Sequence, residues 1–152
     1  MYGLIKQEHL KDIALSVVNC LGNGTNNTAL KLLMETAQAE TGSGTIRDSS
    51  KLAGMGITQF DWVGFRDTLA RTNNENKGKI LDYFSIHIEW VTWEELRYNP
   101  LLSMIFTRLK YKLIPEEIPI TLEGRATYWK KYYNSEDGKG TIEHYLEMNK
   151  KD

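Results

Sequence analysis

Residues 34–61, METAQAETGSGTIRDSSKLAGMGITQFD, gather the side chains best suited to chemistry. Glu40 follows Ala37 by three positions and Leu33 by seven, so on a helix it shares their apolar face and turns toward the core. A carboxyl set against apolar neighbours keeps its proton to higher pH, which is what a general acid for a glycosidic oxygen requires. Glu35, about 140° around the same helix, reads as solvated. Glycosidic cleavage also needs a group on the opposite face of the sugar, either a second carboxylate or the substrate's own N-acetyl oxygen. Asp48 is the candidate second carboxylate. In a cleft it implies an inverting hydrolase, and as an Asx-turn residue it leaves a single-glutamate mechanism. The plainer alternatives are a solvated Glu40 at a helix end and a Gln59 that only caps or packs.

These residues need elements to position them. Leu10, Ile13, Ala14, Val17, Val18 and Leu21 predict a first helix that Gly22 closes, with Cys20 on its apolar side as a core filler. Asn27 or Thr28 caps a second helix that carries Leu30, Leu33, Met34 and Ala37 and runs to about Glu40. The glycine- and serine-rich segment 41–56 that follows is an irregular loop or a small hairpin. Helical pattern resumes at about Thr58 with Phe60, Val63 and Leu69, and again near Lys79 with Ile80, Leu81, Phe84 and Ile88; TNNENKGK is the turn between them. Period-two alternation of Ile86, Ile88 and Trp90 leaves a short extended piece open. Asn99-Pro100 starts a helix through Leu101, Leu102, Ile105 and Leu109, which Pro115 and Pro119 end. Thr121 caps a helix through Leu122, Ala126, Trp129 and Tyr133, SEDGKG is a loop, and Thr141 caps a last helix with Ile142, Tyr145 and Leu146. The expectation is one mainly α domain spanning 1–152, with six or seven short helices and a Gly-rich loop or small hairpin between the second and third.

The order Glu40-Thr41-Gly42, a polar loop, then Gly54-Met55-Gly56-Ile57-Thr58-Gln59-Phe60 resembles the lysozyme-like superfamily, and within it the lytic transglycosylases and small phage-encoded cell-wall hydrolases. Nineteen positions separate Glu40 from Gln59. RATYWKKYYNSEDGKGTIEHYL, residues 125–146, is similar to a variant of that family's closing Tyr-Asn-x-Gly block. The resemblance implies a lysozyme-like fold that cleaves the MurNAc-GlcNAc β-1,4 bond of peptidoglycan, with Glu40 as general acid/base. It implies Gly56, Thr58 and Gln59 shaping the cleft, Tyr132 and Asn134 facing it, no cofactor and no metal. Phage-type lysozymes place an aspartate and then a threonine here, for which Asp48 and Thr58 stand; the Gly-Met-Gly-Ile-Thr-Gln-Phe block looks more like the transglycosylase form, whose product is a 1,6-anhydro sugar. The rival expectation is a non-catalytic virion structural or glycan-binding protein on the same scaffold.

Other chemistries find little support. His9, His87 and His144 are far apart, and there is no HExxH, no GxSxG and no complete phosphate loop around GKGT. One cysteine excludes a disulfide framework. With 19 basic and 20 acidic residues the net charge is -1, and the halves 1–76 and 77–152 hold 7 against 8 and 12 against 12, so electrostatics do not point to nucleic acid. The clusters Arg108, Lys110, Lys112 with Tyr111, and Lys130, Lys131 with Tyr132, read as solvated faces. Of Tyr128, Trp129, Tyr132 and Tyr133, one or two are expected at a cleft and the rest in the core. Charges in the first 12 residues exclude a standard signal peptide, and no apolar run is long enough to span a bilayer. The expected partner is the glycan strand of peptidoglycan, with other virion proteins as further partners; the expected setting is the periplasmic wall, reached from the cytoplasm or within a virion.

Overall fold

The computed structural model describes residues 2–4, 6–45, 54–134 and 140–150. Seven α-helices account for most of them: α1 His9–Leu21, α2 Ala29–Thr41, α3 Trp62–Arg71, α4 Asn74–Phe84, α5 Pro100–Lys112, α6 Leu122–Trp129 and α7 Ile142–Met148. A π turn, Lys130–Asn134, extends α6, and two 3-10 turns, Ile88–Trp90 and Trp93–Tyr98, join α4 to α5. The fold is mainly α, with no strand among the described residues; the only bridge there pairs Met55 with Phe60.

Caps set most of the boundaries. Asp61, Asn73, Asn99, Thr121 and Thr141 each accept, through the side chain, a backbone N–H three residues on, which satisfies a donor that the first helical turn leaves unpaired. Thr92 and Glu95 form a reciprocal capping box. Asn73 starts α4 inside the segment expected to be a turn, because a good cap outweighs the local richness in asparagine. HIEWVTW is 3-10 rather than extended. Helix α3 begins at Trp62, not Thr58; its core face is therefore phased on Phe65 and Thr68, and Val63 stands 75% exposed instead of buried.

Helix α5 is the axis of the core. Almost its whole surface is buried, from Leu102 to Leu109 and Tyr111, because α1, α2, α3 and the π turn pack around it. Arg108 is buried too, not solvated: its Nε donates to the Gly22 carbonyl (2.9 Å), and Lys112 Nζ donates to the Leu21 carbonyl (2.8 Å). Two cations thus pair with the free carbonyl end of α1. Cys20 sits half-buried at the rim of the core, its Sγ 3.4 Å from the Lys79 carbonyl oxygen.

Helix α2 is covered by α1, α5 and α7. This overturns the reading of Glu35 as solvated: its side chain is only 15% exposed and takes two hydrogen bonds from Arg125, Nε to Oε1 at 2.7 Å and Nη2 to Oε2 at 2.9 Å. The Tyr145 hydroxyl donates to Oε1 (2.7 Å), Asn149 Nδ2 donates to the Glu35 carbonyl (3.1 Å), and Arg125 Nη1 donates to the Ile120 carbonyl (2.6 Å). The hydrogen bonds to Glu35 push the Arg125 pKa up. Angle around a helix locates a residue relative to one apolar stripe, and α2 has neighbours on more than one side.

Glu35→Gln leaves Arg125 buried without a counter-charge. Urea denaturation should show a loss of about 3–5 kcal/mol, where a solvated glutamate would cost less than about 0.5 kcal/mol.

Candidate functional site

The site is built where α2 stops. Gly42 takes the left-handed conformation at φ +57°, and its N–H bonds back into the last turn of the helix. Thr41, fully buried, places Oγ1 2.6 Å from the Ile57 carbonyl oxygen and 3.2 Å from that of Ala37, and accepts the Gly44 N–H at 3.0 Å. That hydroxyl ties the end of α2 to the turn 55–60.

The turn is closed by two backbone bonds between Met55 and Phe60 (2.8 and 3.0 Å) and by Gln59 N–H donating to the Gly56 carbonyl (3.0 Å). Gly56 has φ +80°, and a Cβ there would run into the Leu96 carbonyl and Ser103 Oγ, so only glycine fits. Gln59 takes φ +50°, its Nε2 also donating to the Gly56 carbonyl (2.9 Å), while its buried Oε1 has no partner among the described residues. Thr58 is fully buried. Its hydroxyl lies 2.8 Å from that of Thr107, and its carbonyl accepts the Tyr133 hydroxyl at 2.7 Å. Thr58 therefore supports the turn from beneath rather than presenting its hydroxyl to solvent.

Around this turn stand Glu40, Lys110, Tyr133 and Asp61. Glu40 is half-buried, four residues after Thr36, whose hydroxyl meets the Tyr111 hydroxyl at 2.8 Å. Tyr111 stacks on Tyr133, centroids 5.4 Å apart. Lys110 Nζ lies 4.8 Å from the Tyr133 ring centre and 5.4 Å from that of Phe60, within cation-π range of both. Burial pushes the Lys110 ammonium below its ordinary value, and the charges of Asp61, Glu40 and Asp67 partly offset that. Burial and then the Glu40 charge push the Tyr133 phenol far above its ordinary value.

Of the expected site residues, then, Gly56, Thr58 and Gln59 form the turn that Thr41 ties to the end of α2. Tyr132 does not join them. It is half-buried edge-on to Tyr128; Tyr133, the next residue, is the one that reaches the turn. The π turn carries this difference, since a wider turn shifts which ring faces inward. Asn134 accepts from Lys130 Nζ (2.9 Å) on the same π turn. Asp48 lies outside the described residues. Sequence reasoning missed Lys110 and Asp61, and named Tyr133 only as one of the four aromatics Tyr128, Trp129, Tyr132 and Tyr133. Lys110 was set aside with a basic cluster, although its i−4 neighbour Phe106 and i−1 neighbour Leu109 already place it on a buried helix. An open depression lined by Lys6, Gln7, Glu8 and Ser43 adjoins the end of α2, where Gln7 Nε2 donates to the Gly42 carbonyl (3.0 Å).

No protein-family model, no curated protein and no solved structure matches this chain. Among the described residues no group of three or more histidine, cysteine, aspartate or glutamate side chains is placed to hold a metal ion, and no helix is long and apolar enough to cross a membrane.

Tyr133→Phe removes the brace on the Thr58 carbonyl and should cost about 1–3 kcal/mol in urea denaturation. Alkali should also destabilise the parent. Burial raises the phenols of Tyr111, Tyr133 and Tyr145 far up and that of Tyr128 to about 12. The unfolded chain ionises its phenols near pH 10, so their contribution is whole below that pH and is lost as pH rises above it. Unchanged stability between about pH 9 and 11 would contradict this.

Proposed function

We propose that this chain cleaves the glycan strand of peptidoglycan at the MurNAc-GlcNAc β-1,4 bond, on a lysozyme-like helical scaffold, with Glu40 as general acid/base. The observation that carries the reading is the joint between the last turn of α2 and the turn 55–60: Thr41 bonds Ile57 beside a half-buried Glu40, and Tyr133 bonds Thr58 from the other side. A carboxyl held at a rigid joint is positioned for proton transfer.

Protonated Glu40 gives its proton to the glycosidic oxygen as the bond to C1 breaks. The substrate's N-acetyl oxygen bonds C1 from the opposite face and carries the positive charge. Glu40, now ionised, takes the proton of the substrate's C6 hydroxyl as that oxygen closes on C1, which releases the N-acetyl group, leaves a 1,6-anhydro end and restores the acid. Water in place of the C6 hydroxyl gives a reducing end instead. In this reading Gln59, in the turn, and Asn134, beside Tyr133, are the polar side chains assigned to orient the sugar, and Asn134 Oδ1 would exchange its bond from Lys130 Nζ for one to the substrate. The substrate places the reaction at the bacterial wall, where a virion-borne or a lysis enzyme would act.

Glu40→Gln keeps the shape and removes the transferable proton. Clearing of a peptidoglycan suspension should slow by about 10²–10⁴, with the thermal midpoint little changed. Asp48→Asn should keep most activity. A parent that binds peptidoglycan without clearing it would instead favour a glycan-binding virion component.

A further inference from the structure

The depression beside the end of α2, lined by Lys6, Gln7, Glu8 and Ser43, has a volume of about 620 Å³ and carries both signs of charge. Lys6 and Glu8 flank Gln7, are exposed, and make no ion pair among the described residues. The chain that bears them is anchored at two points. Tyr2 is buried, and Gly3, at φ +82°, passes so near the start of α5 that a Cβ there would run into the Tyr98 carbonyl. Further on, Gln7 Nε2 donates to the Gly42 carbonyl (3.0 Å), and the Lys6 and Gln7 carbonyls accept the His9 and Leu10 N–H groups (3.0 and 3.1 Å) as α1 begins. Ser43 is fixed as firmly, its N–H donating to the Ala37 carbonyl (3.0 Å) and its Oγ to Gln38 Oε1 (2.7 Å). Ser43 follows Glu40 by three residues, and three residues of chain reach at most roughly 11 Å. The depression therefore begins within that distance of the Glu40 backbone.

We propose that this depression binds a short peptide carrying both carboxylate and amine groups, namely the peptide stem that MurNAc bears on its lactyl group. The choice of a stem over a free peptide rests on the reading of Glu40 as the acid/base for glycan cleavage. A stem brings carboxylates, which Lys6 attracts, and the free amine of its diamino acid, which Glu8 attracts. Gln7, whose Nε2 is engaged with Gly42, offers Oε1 to the peptide N–H groups, and the Ser43 hydroxyl oxygen keeps acceptor capacity beside it. A single sign of charge would draw any ion of the other sign, whereas both signs two residues apart favour a ligand that carries both. The anchored backbone does not have to be ordered when the ligand arrives, which lowers the cost of binding. Because the depression is open and its charges are hydrated, each charged contact adds modestly. The site sorts strands by what they carry more than it holds them.

The test has one arm without activity and one with it. Muramyl tripeptide, N-acetylmuramyl-L-alanyl-γ-D-glutamyl-meso-diaminopimelate, is titrated into ¹⁵N-labelled protein. The amide signals of residues 6–8, 42 and 43 should move, and binding should weaken as salt is added. Lys6→Gln and Glu8→Gln should each weaken it by about two- to fivefold, while Lys31→Gln, exposed near the other end of α2, should not. Shifts confined to other residues, equal shifts from N-acetylmuramic acid alone, or parental binding in both variants overturn the proposal. The free tripeptide binding as tightly as muramyl tripeptide overturns the choice of a stem. In the activity arm, kcat/KM is measured on strands that carry their stems and on strands stripped of them by an amidase. The parent should prefer the former, and that preference should fall by about two- to fivefold in Lys6→Gln and in Glu8→Gln. A parent that cleaves both kinds of strand alike sinks the proposal and leaves the reading of Glu40 standing. A parent that cleaves neither, yet binds muramyl tripeptide in this depression, sinks that reading and leaves the binding site standing.

Discussion

Helix α2 carries two carboxylates into the protein, and the rest of the fold answers each of them differently. Glu35 is neutralised completely. Arg125 meets both its oxygens, Tyr145 donates a third bond, and Asn149 takes the backbone carbonyl above it. An uncompensated charge at that depth would cost several kcal/mol, so α6 and α7 cannot leave α2 without exposing or stranding an ion. His144 adds a further tie across the same interface, its Nε2 lying 2.7 Å from the Ala39 carbonyl oxygen. The C-terminal helices are thereby held by polar contacts of fixed geometry, and the upper turns of α2 cannot rotate.

That fixity matters five residues later. Glu40, by contrast with Glu35, is at the end of α2 and half-buried. The aromatic layer beneath, running from Tyr111 through Tyr133 and Phe60 to Phe106 and Phe65, gives the joint a stiff apolar floor. Rings in stacked and edge-on contact leave few rotamers open, so the turn 55–60 rests on a surface that does not yield.

Local rules made much of this legible. Asn99-Pro100, Thr121 and Thr141 started helices where capping chemistry required, and the apolar spacing of α1 and α2 was readable directly. The burial of Glu35 was not, since its partners lie 90 and 110 positions away and a helical wheel holds no information about a second neighbour. Arg108 and Lys110 were misread for the same reason: charge suggested water, yet α5 is enclosed on nearly all sides. Tyr133 was hidden behind Tyr132 by the π turn, a change of register that sequence spacing does not reveal.

The claim that depends most on all of this is that Glu40 transfers a proton during glycan cleavage. Mass spectrometry of the material released from purified peptidoglycan tests it most directly. The account predicts soluble muropeptides with 1,6-anhydro ends from the parent chain and none from Glu40→Gln. Intact glycan strands after treatment with the folded parent, or the same products from both proteins, would contradict it.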